Sequence, residues 1–150
     1  MNRIVVIALI AVFITSCSQK KVVESTYENG NPKVVKYYQK KGDELDLRKE
    51  TVFYENQQKK MEGTYKVKAR DGQWKAWYEN GTIWSEGEYK NGKREGLGIA
   101  YHPNGQKYIE GRYREDMRIG VWRFYDTTGV MVKEVNFDLV PKSTENDTLN

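Results

Sequence analysis

From residue 22 to residue 138 the chain alternates short runs rich in Tyr, Trp, Val and Thr with polar turn dipeptides. No stretch after residue 21 keeps a 3.6-residue apolar period for three turns. The runs at 74–79, 82–90 and 106–114, six to nine residues long, have the length and composition of strands. Between such runs stand Asn29-Gly30, Asn80-Gly81, Asn91-Gly92 and Asn104-Gly105. These dipeptides suit type I′ hairpin turns, which need φ > 0 at both central residues. The pattern predicts about ten short antiparallel strands and no helix.

The runs repeat. Written in blocks of 24, the chain aligns Glu62, Glu86, Glu110 and Glu134 in one column and Gly63, Gly87, Gly111 and Val135 in the next. Two aromatic columns follow the same period: Tyr65, Tyr89, Tyr113 and Phe137, and Phe53, Trp77, Tyr101 and Tyr125. Gly72, Gly96 and Gly120 recur, with Trp74, Gly98 and Trp122 two places behind them, and Gly81, Gly105 and Gly129 align with Gln57. A looser copy containing Tyr27 to Gly30 and Tyr38 is offset by 27, which puts three extra residues in the charged stretch 40–50. At ~4.8 Å between strands, ten strands make a sheet roughly 45 to 50 Å long, and each column becomes a row spaced by about 10 Å. Gly63, Gly87 and Gly111 precede the first aromatic row by two residues, so they share its face and leave room for a ring over the backbone.

Residues 87–98, reading GEYKNGKREGLG, resemble the MORN repeat: glycine, aromatic, turn, Gly-Lys and then Gly-x-Gly. The likeness extends with decreasing fidelity over residues 22–138, about five units, and the units at Gly72 and Gly120 depart from it by carrying Trp74 and Trp122 at the second glycine. With the YENG and E-G-x-Y phrases, the chain is similar to variant MORN repeats of bacterial proteins, some labelled as antitoxin components. The resemblance implies an all-β, elongated single-layer antiparallel sheet of tandem hairpins. It also implies a non-catalytic accessory module that binds proteins or lies on membranes.

The N-terminus has a different pattern. Arg3 precedes an unbroken apolar run over residues 4–14, and Thr15 and Ser16 precede Cys17. That is the layout of a secretory signal over residues 1–16. Eleven apolar residues make a helix of only about 16 Å, half of the ~30 Å hydrocarbon core. Ile14-Thr15-Ser16-Cys17 resembles the lipobox of bacterial lipoproteins, and Cys17 is the chain's single cysteine, without a disulfide or thiolate partner. Lipidation of Cys17 is the expected chemistry, with residues 17–21 as a short tether and the array within roughly 15 to 20 Å of a bilayer. Ser18 resembles the pattern of lipoproteins sent to the outer membrane, so the expected location is the bacterial cell envelope, facing the periplasm. Residues 139–150 read as a disordered polar tail.

Charge narrows the choice of function. Loss of residues 1–16 removes only Arg3 from the 25 Lys and Arg, leaving 24 against 21 Asp and Glu. The basic residues are scattered among acids, so no nucleic-acid stripe forms. All eleven Tyr and four Trp lie after residue 21, which suits a thin sheet with aromatic faces. The glutamate column invites a carboxylate-pair mechanism on a glycan. A column repeated in equivalent environments cannot separate two pKa values, so ladders of Glu paired with Lys or Arg are expected instead. His102, the sole histidine, reads as a solvated turn residue. No cofactor, metal or enzymatic activity is expected. The candidate binding surface consists of Tyr65, Tyr89, Tyr113, Phe137, Trp77, Tyr101 and Tyr125. The expected function is a lipid-anchored, protein-binding module of the envelope. Neutralisation of an exported toxin, or apposition to membrane or glycan, stands as the alternative.

Overall fold

The computed structural model describes residues 19–139. Within them the strands are β1 (Gln19–Thr26), β2 (Pro32–Lys41), β3 (Glu44–Phe53), β4 (Lys59–Lys66), β5 (Ala69–Trp77), β6 (Ile83–Lys90), β7 (Lys93–Tyr101), β8 (Lys107–Arg114), β9 (Met117–Tyr125) and β10 (Met131–Asn136). Each pairs antiparallel with the next, giving one open ten-stranded sheet in chain order, and no helix occurs among the described residues. This is the expected meander of tandem hairpins. β1 begins at Gln19, so the stretch read as a tether is strand from its third residue on. Residues 1–16, Cys17 and the tail beyond Leu139 lie outside the described residues.

The two ends of the hairpins use different turns, and this corrects the type I′ expectation at three of four Asn-Gly pairs. Only Asn91-Gly92 has positive φ at both residues, 51° and 88°. Asn29, Asn80 and Asn104 have ordinary φ and sit inside three-residue loops. In the loop after β5, Gly81 N–H donates to Tyr78 O at 2.9 Å and Tyr78 N–H to Thr82 O at 2.8 Å, with Gly81 at φ 86°. That is a type I turn closed by a left-handed residue, the usual three-residue hairpin. Asn80 Oδ1 accepts the Thr82 N–H at 3.0 Å, so this asparagine is selected for its side chain rather than for its φ. The tight two-residue turns at the other end include Val67-Lys68 and Glu115-Asp116, whose φ values of 49° to 70° are met without glycine.

Each unit also carries bulges. Lys33, Lys60, Trp84, Tyr108 and Val132 are skipped where the register shifts, once per unit at the same place. A bulge increases local twist, and repeating it gives every unit the same bend. Very little is buried: Val35, Trp74, Ala76 and Trp122 among apolar side chains, and Thr51 among polar ones. The described residues form a single layer. Stability comes from rings laid flat on the glycines of neighbouring strands.

Candidate interaction surface

Gly63, Trp74, Gly87, Gly98 and Gly111 face one another across β4 to β8 and so define one face of the sheet. The Trp74 indole covers Gly63 and the Trp122 indole covers Gly111; a Cβ on either glycine would fall inside the ring. Tyr65 and Tyr89 meet Trp74 edge to face, with centroids 5.4 and 6.0 Å away, and Tyr113 and Phe137 meet Trp122 likewise at 4.8 and 6.0 Å. A column that escaped the sequence reading lies above them. Arg70 stacks on Trp74 at 4.0 Å, Arg94 on Tyr113 at 4.3 Å and Arg118 on Trp122 at 4.7 Å. These three arginines are 24 residues apart, so the period contained the signal.

The opposite face is charged. Its central row runs Thr51, Glu62, Lys75, Glu86, Ile99, Glu110, Arg123 and Glu134 across successive strands. Glu62 is held by Lys49 and Lys59, each at 3.0 Å, Glu86 by Lys75 at 3.0 Å, Glu110 by Lys107 at 2.8 Å and Glu134 by Arg123 at 3.0 Å. The glutamate column is the expected charge ladder. Tyr101 donates to Glu86 at 2.7 Å and Tyr125 to Glu110 at 2.6 Å. Lys59, which holds Glu62, lies 5.7 Å from the Trp77 ring. Thus the seven aromatic residues proposed as one binding surface are divided. Tyr65, Tyr89, Tyr113 and Phe137 lie on the aromatic face, and Trp77, Tyr101 and Tyr125 on the charged face. A register shift between the paired glycine row and the loop end does not change this assignment, because the contacts of Tyr101 and Tyr125 with glutamates and of Trp77 with Lys59 fix it.

The hydrogen bonds set the titration of this row. Burial pushes Glu62 up, but hydrogen bonds from Lys49, Lys59 and Thr51 outweigh it, leaving the carboxyl below its ordinary 4.5. Hydrogen bonds from Tyr101 and Lys75 hold Glu86 below that value, and bonds from Lys107 and Tyr125 do the same for Glu110. Burial, then the bond to Glu86, pushes the Tyr101 phenol up to about 12. A carboxyl whose folded pKa is depressed stabilises the fold above its unfolded pKa, and that contribution is lost as pH falls through the folded value. The urea midpoint is therefore expected to drop between about pH 5 and pH 3, and to drop less steeply in Glu86→Gln. The three glutamates are partly solvated, so each is expected to contribute on the order of 1 kcal/mol or less.

At the loop end a second ladder joins consecutive units. Tyr27, Tyr54 and Tyr78 donate their hydroxyls to the carbonyls of Phe53, Trp77 and Tyr101, each at 2.8 Å. His102 takes the next place: its Nε2 lies 2.9 Å from the Tyr125 carbonyl, and its ring meets Tyr108 at 5.0 Å. This corrects the reading of His102 as a solvated turn residue; it is half-buried and replaces a tyrosine in the ladder. Asn56 and Asn104 extend the joint, donating Nδ2–H to Glu79 O at 3.3 Å and Thr127 O at 2.7 Å. Tyr78→Phe is expected to cost about 1 kcal/mol in urea unfolding, since it leaves the Tyr101 carbonyl one bond short.

On the aromatic face a cavity of about 350 Å³ opens between the two ring clusters. Gly87 and Gly98, paired across β6 and β7, lie at its lining with Ala100, and Trp74, Tyr89, Tyr113 and Trp122 border it. Trp84, also at its border, is 52% exposed, and Tyr108, one repeat on, is 48% exposed. These two share the column of Lys60 and Val132, again at a period of 24. Among the described residues they are the aromatic side chains left open, whereas Tyr65, Tyr89 and Tyr113 are half-buried against Trp and Arg, and Tyr101 and Tyr125 against glutamates. Among the described residues, no group of three or more His, Cys, Asp or Glu is placed to hold a metal ion.

A family model for the MORN repeat variant matches residues 70–91, 94–115 and 118–138. These three matches coincide with the hairpins that begin in β5, β7 and β9. No curated protein matches the chain. Among solved structures, a chain of the "Glycosylation Associate Protein (Gap123) complex from Streptococcus agalactiae" aligns at 18% identity and a TM-score of 0.39, over 69% of this chain and 18% of that one.

Proposed function

Because the chain carries three consecutive MORN-variant repeats, modules associated with membranes or with protein interaction, we propose that it is a non-catalytic protein-binding scaffold held at a bacterial envelope membrane by lipid on Cys17. The observation that carries this reading is the division of the sheet. One face neutralises its own charges in a ladder, and the other leaves Trp84, Tyr108 and an aromatic-walled cavity open to solvent. Catalysis is disfavoured by the same geometry, since Glu62, Glu86 and Glu110 each meet a lysine and occupy equivalent places.

Two measurements test the proposal. Radiolabelled palmitate is expected to label the wild-type chain and not Cys17→Ser, and the membrane fraction is expected to lose that variant; labelling of both removes the anchor. Formaldehyde crosslinking in cells is expected to give a discrete adduct that the Trp84→Ser, Tyr108→Ser variant loses while keeping its circular dichroism spectrum. An adduct unchanged in that variant places the partner elsewhere.

A further inference from the structure

The tryptophan column is interrupted once: Trp74 and Trp122 flank Gly98 at a spacing of 24. Trp74 pairs across the sheet with Gly87, and its indole covers Gly63 on the other side. Trp122 covers Gly111 in the same way. By the same repeat, a tryptophan at position 98 would cover Gly87. It is missing, and among the described residues nothing replaces it there: a Cβ built on Gly87 meets only the backbone of Leu97 and Gly98, at 3.6 and 3.7 Å. Tyr113 leans over Gly98 instead, its Cε2 lying 2.8 Å from a Cβ built there. The cavity described above therefore includes the place of one absent indole, with an edge-to-face ring pair on either side.

Its rim is not electrically neutral. Arg94, stacked on Tyr113, is paired with Asp116 at 3.2 Å. Arg70, stacked on Trp74 and lying 5.6 Å from the Tyr89 ring centroid, meets Met61 Sδ at 3.8 Å, and among the described residues no carboxylate lies within ion-pair distance of it. Glu86 and Glu88 also border the cavity but project from the other face by strand alternation, and Glu86 is held there by Lys75 and Tyr101. A half-buried guanidinium with no counter-ion among the described residues, beside the open place in the tryptophan column, matches a ligand that carries an aromatic ring and an adjacent anion.

We infer that the slot over Gly87 and Gly98 receives an aromatic side chain flanked by a carboxylate, donated by the partner protein, which completes the tryptophan column and pairs with Arg70. The inference rests on the reading of the chain as a protein-binding module, and it names the chemistry that the module recognises.

The test uses the full chain, isotopically labelled for amide spectra, titrated with the acetylated, amidated peptide Gly-Glu-Trp-Glu-Gly and with counterparts carrying Ala for Trp or Lys for Glu. The acidic tryptophan peptide is expected to shift the Gly87 and Gly98 amides at millimolar concentration or below. The alanine peptide is expected to leave them unmoved, and the lysine peptide to bind at least tenfold more weakly. Gly98→Trp fills the slot from within once Tyr113, whose Cε2 lies 2.8 Å from a Cβ at that position, rotates aside, and it is expected to abolish the shifts while keeping the circular dichroism spectrum. Arg70→Leu, which leaves the slot open, is expected to erase the difference between the acidic and basic peptides. Shifts that survive in Gly98→Trp, or an alanine peptide that binds equally, overturn the inference. So do shifts produced by anionic vesicles but not by the peptide, since the occupant is then a lipid surface. A partner that crosslinks through Trp84 and Tyr108 while the peptide fails leaves the module reading standing and removes the slot alone.

Discussion

Trp122→Ala is expected to destabilise the array by about 3–5 kcal/mol, read as a fall in the urea midpoint by far-ultraviolet circular dichroism. The indole is 2% exposed although the sheet has one layer. It is held by what lies around it: Gly111 beneath, Tyr113 and Phe137 at its edges, Arg118 above, and its own Nε1–H donating to Arg112 O at 3.2 Å. Removing the ring takes away the largest buried side chain and exposes the backbone of β8 under it. Gly111→Ala approaches the same contact from below, because its methyl would occupy the space of the ring, and it is expected to cost about 1–3 kcal/mol. The two effects belong to one contact. The double variant is therefore expected to lose less than the sum of the single losses, by at least 0.5 kcal/mol. A Trp122→Ala cost below about 1 kcal/mol contradicts ring-on-glycine packing as the source of stability.

The second large effect is expected from deletions that keep or break the period. Removing residues 97–120, one full repeat, joins Gly96 to Val121 and leaves every column in place. Trp122 then faces Gly87, as Trp74 faces it in the intact chain. This shorter array is expected to unfold in a single transition at a modestly lower midpoint, as stacked repeats do when one neighbour interface is lost. Removing residues 97–121 deletes one residue more and turns Trp122 to the charged face and Arg123 to the aromatic face. A one-residue slip inverts every side chain after it. That variant is expected to lose at least the ~3–5 kcal/mol of the tryptophan contact and the near-ultraviolet signal of the packed ring. Equal stability of the two deletions contradicts the assignment of faces.

Strand number, strand order, the period and the salt-bridged glutamate column were all legible in the sequence, because each depends on spacing that a gapless alignment shows. The turn chemistry was only half legible. Asn-Gly serves a type I′ turn at Asn91-Gly92 and a bulged three-residue loop at Asn80-Gly81, and the difference lies in which residue before it closes the loop. The division of the aromatic columns between two faces was hidden by the bulge in every unit, which breaks simple alternation between Glu86 and Ile83. Arg70, Arg94 and Arg118 were present at the right spacing, but charged residues on a polar chain read as solvated. Only the stacking distances show them capping the rings. The place of His102 is hidden for a related reason: its tyrosine counterparts at 27, 54 and 78 align with it only through the hydroxyl-to-carbonyl ladder.

The aromatic face, and not the charged one, is expected to meet the partner. Photoreactive benzoylphenylalanine placed at Tyr108, on the open aromatic column, and separately at Val121, 37% exposed on the charged face, tests it in living cells. A discrete ultraviolet-dependent adduct is expected from position 108 and none from position 121. An adduct from position 121 alone, equal adducts from both, or none from either would contradict it.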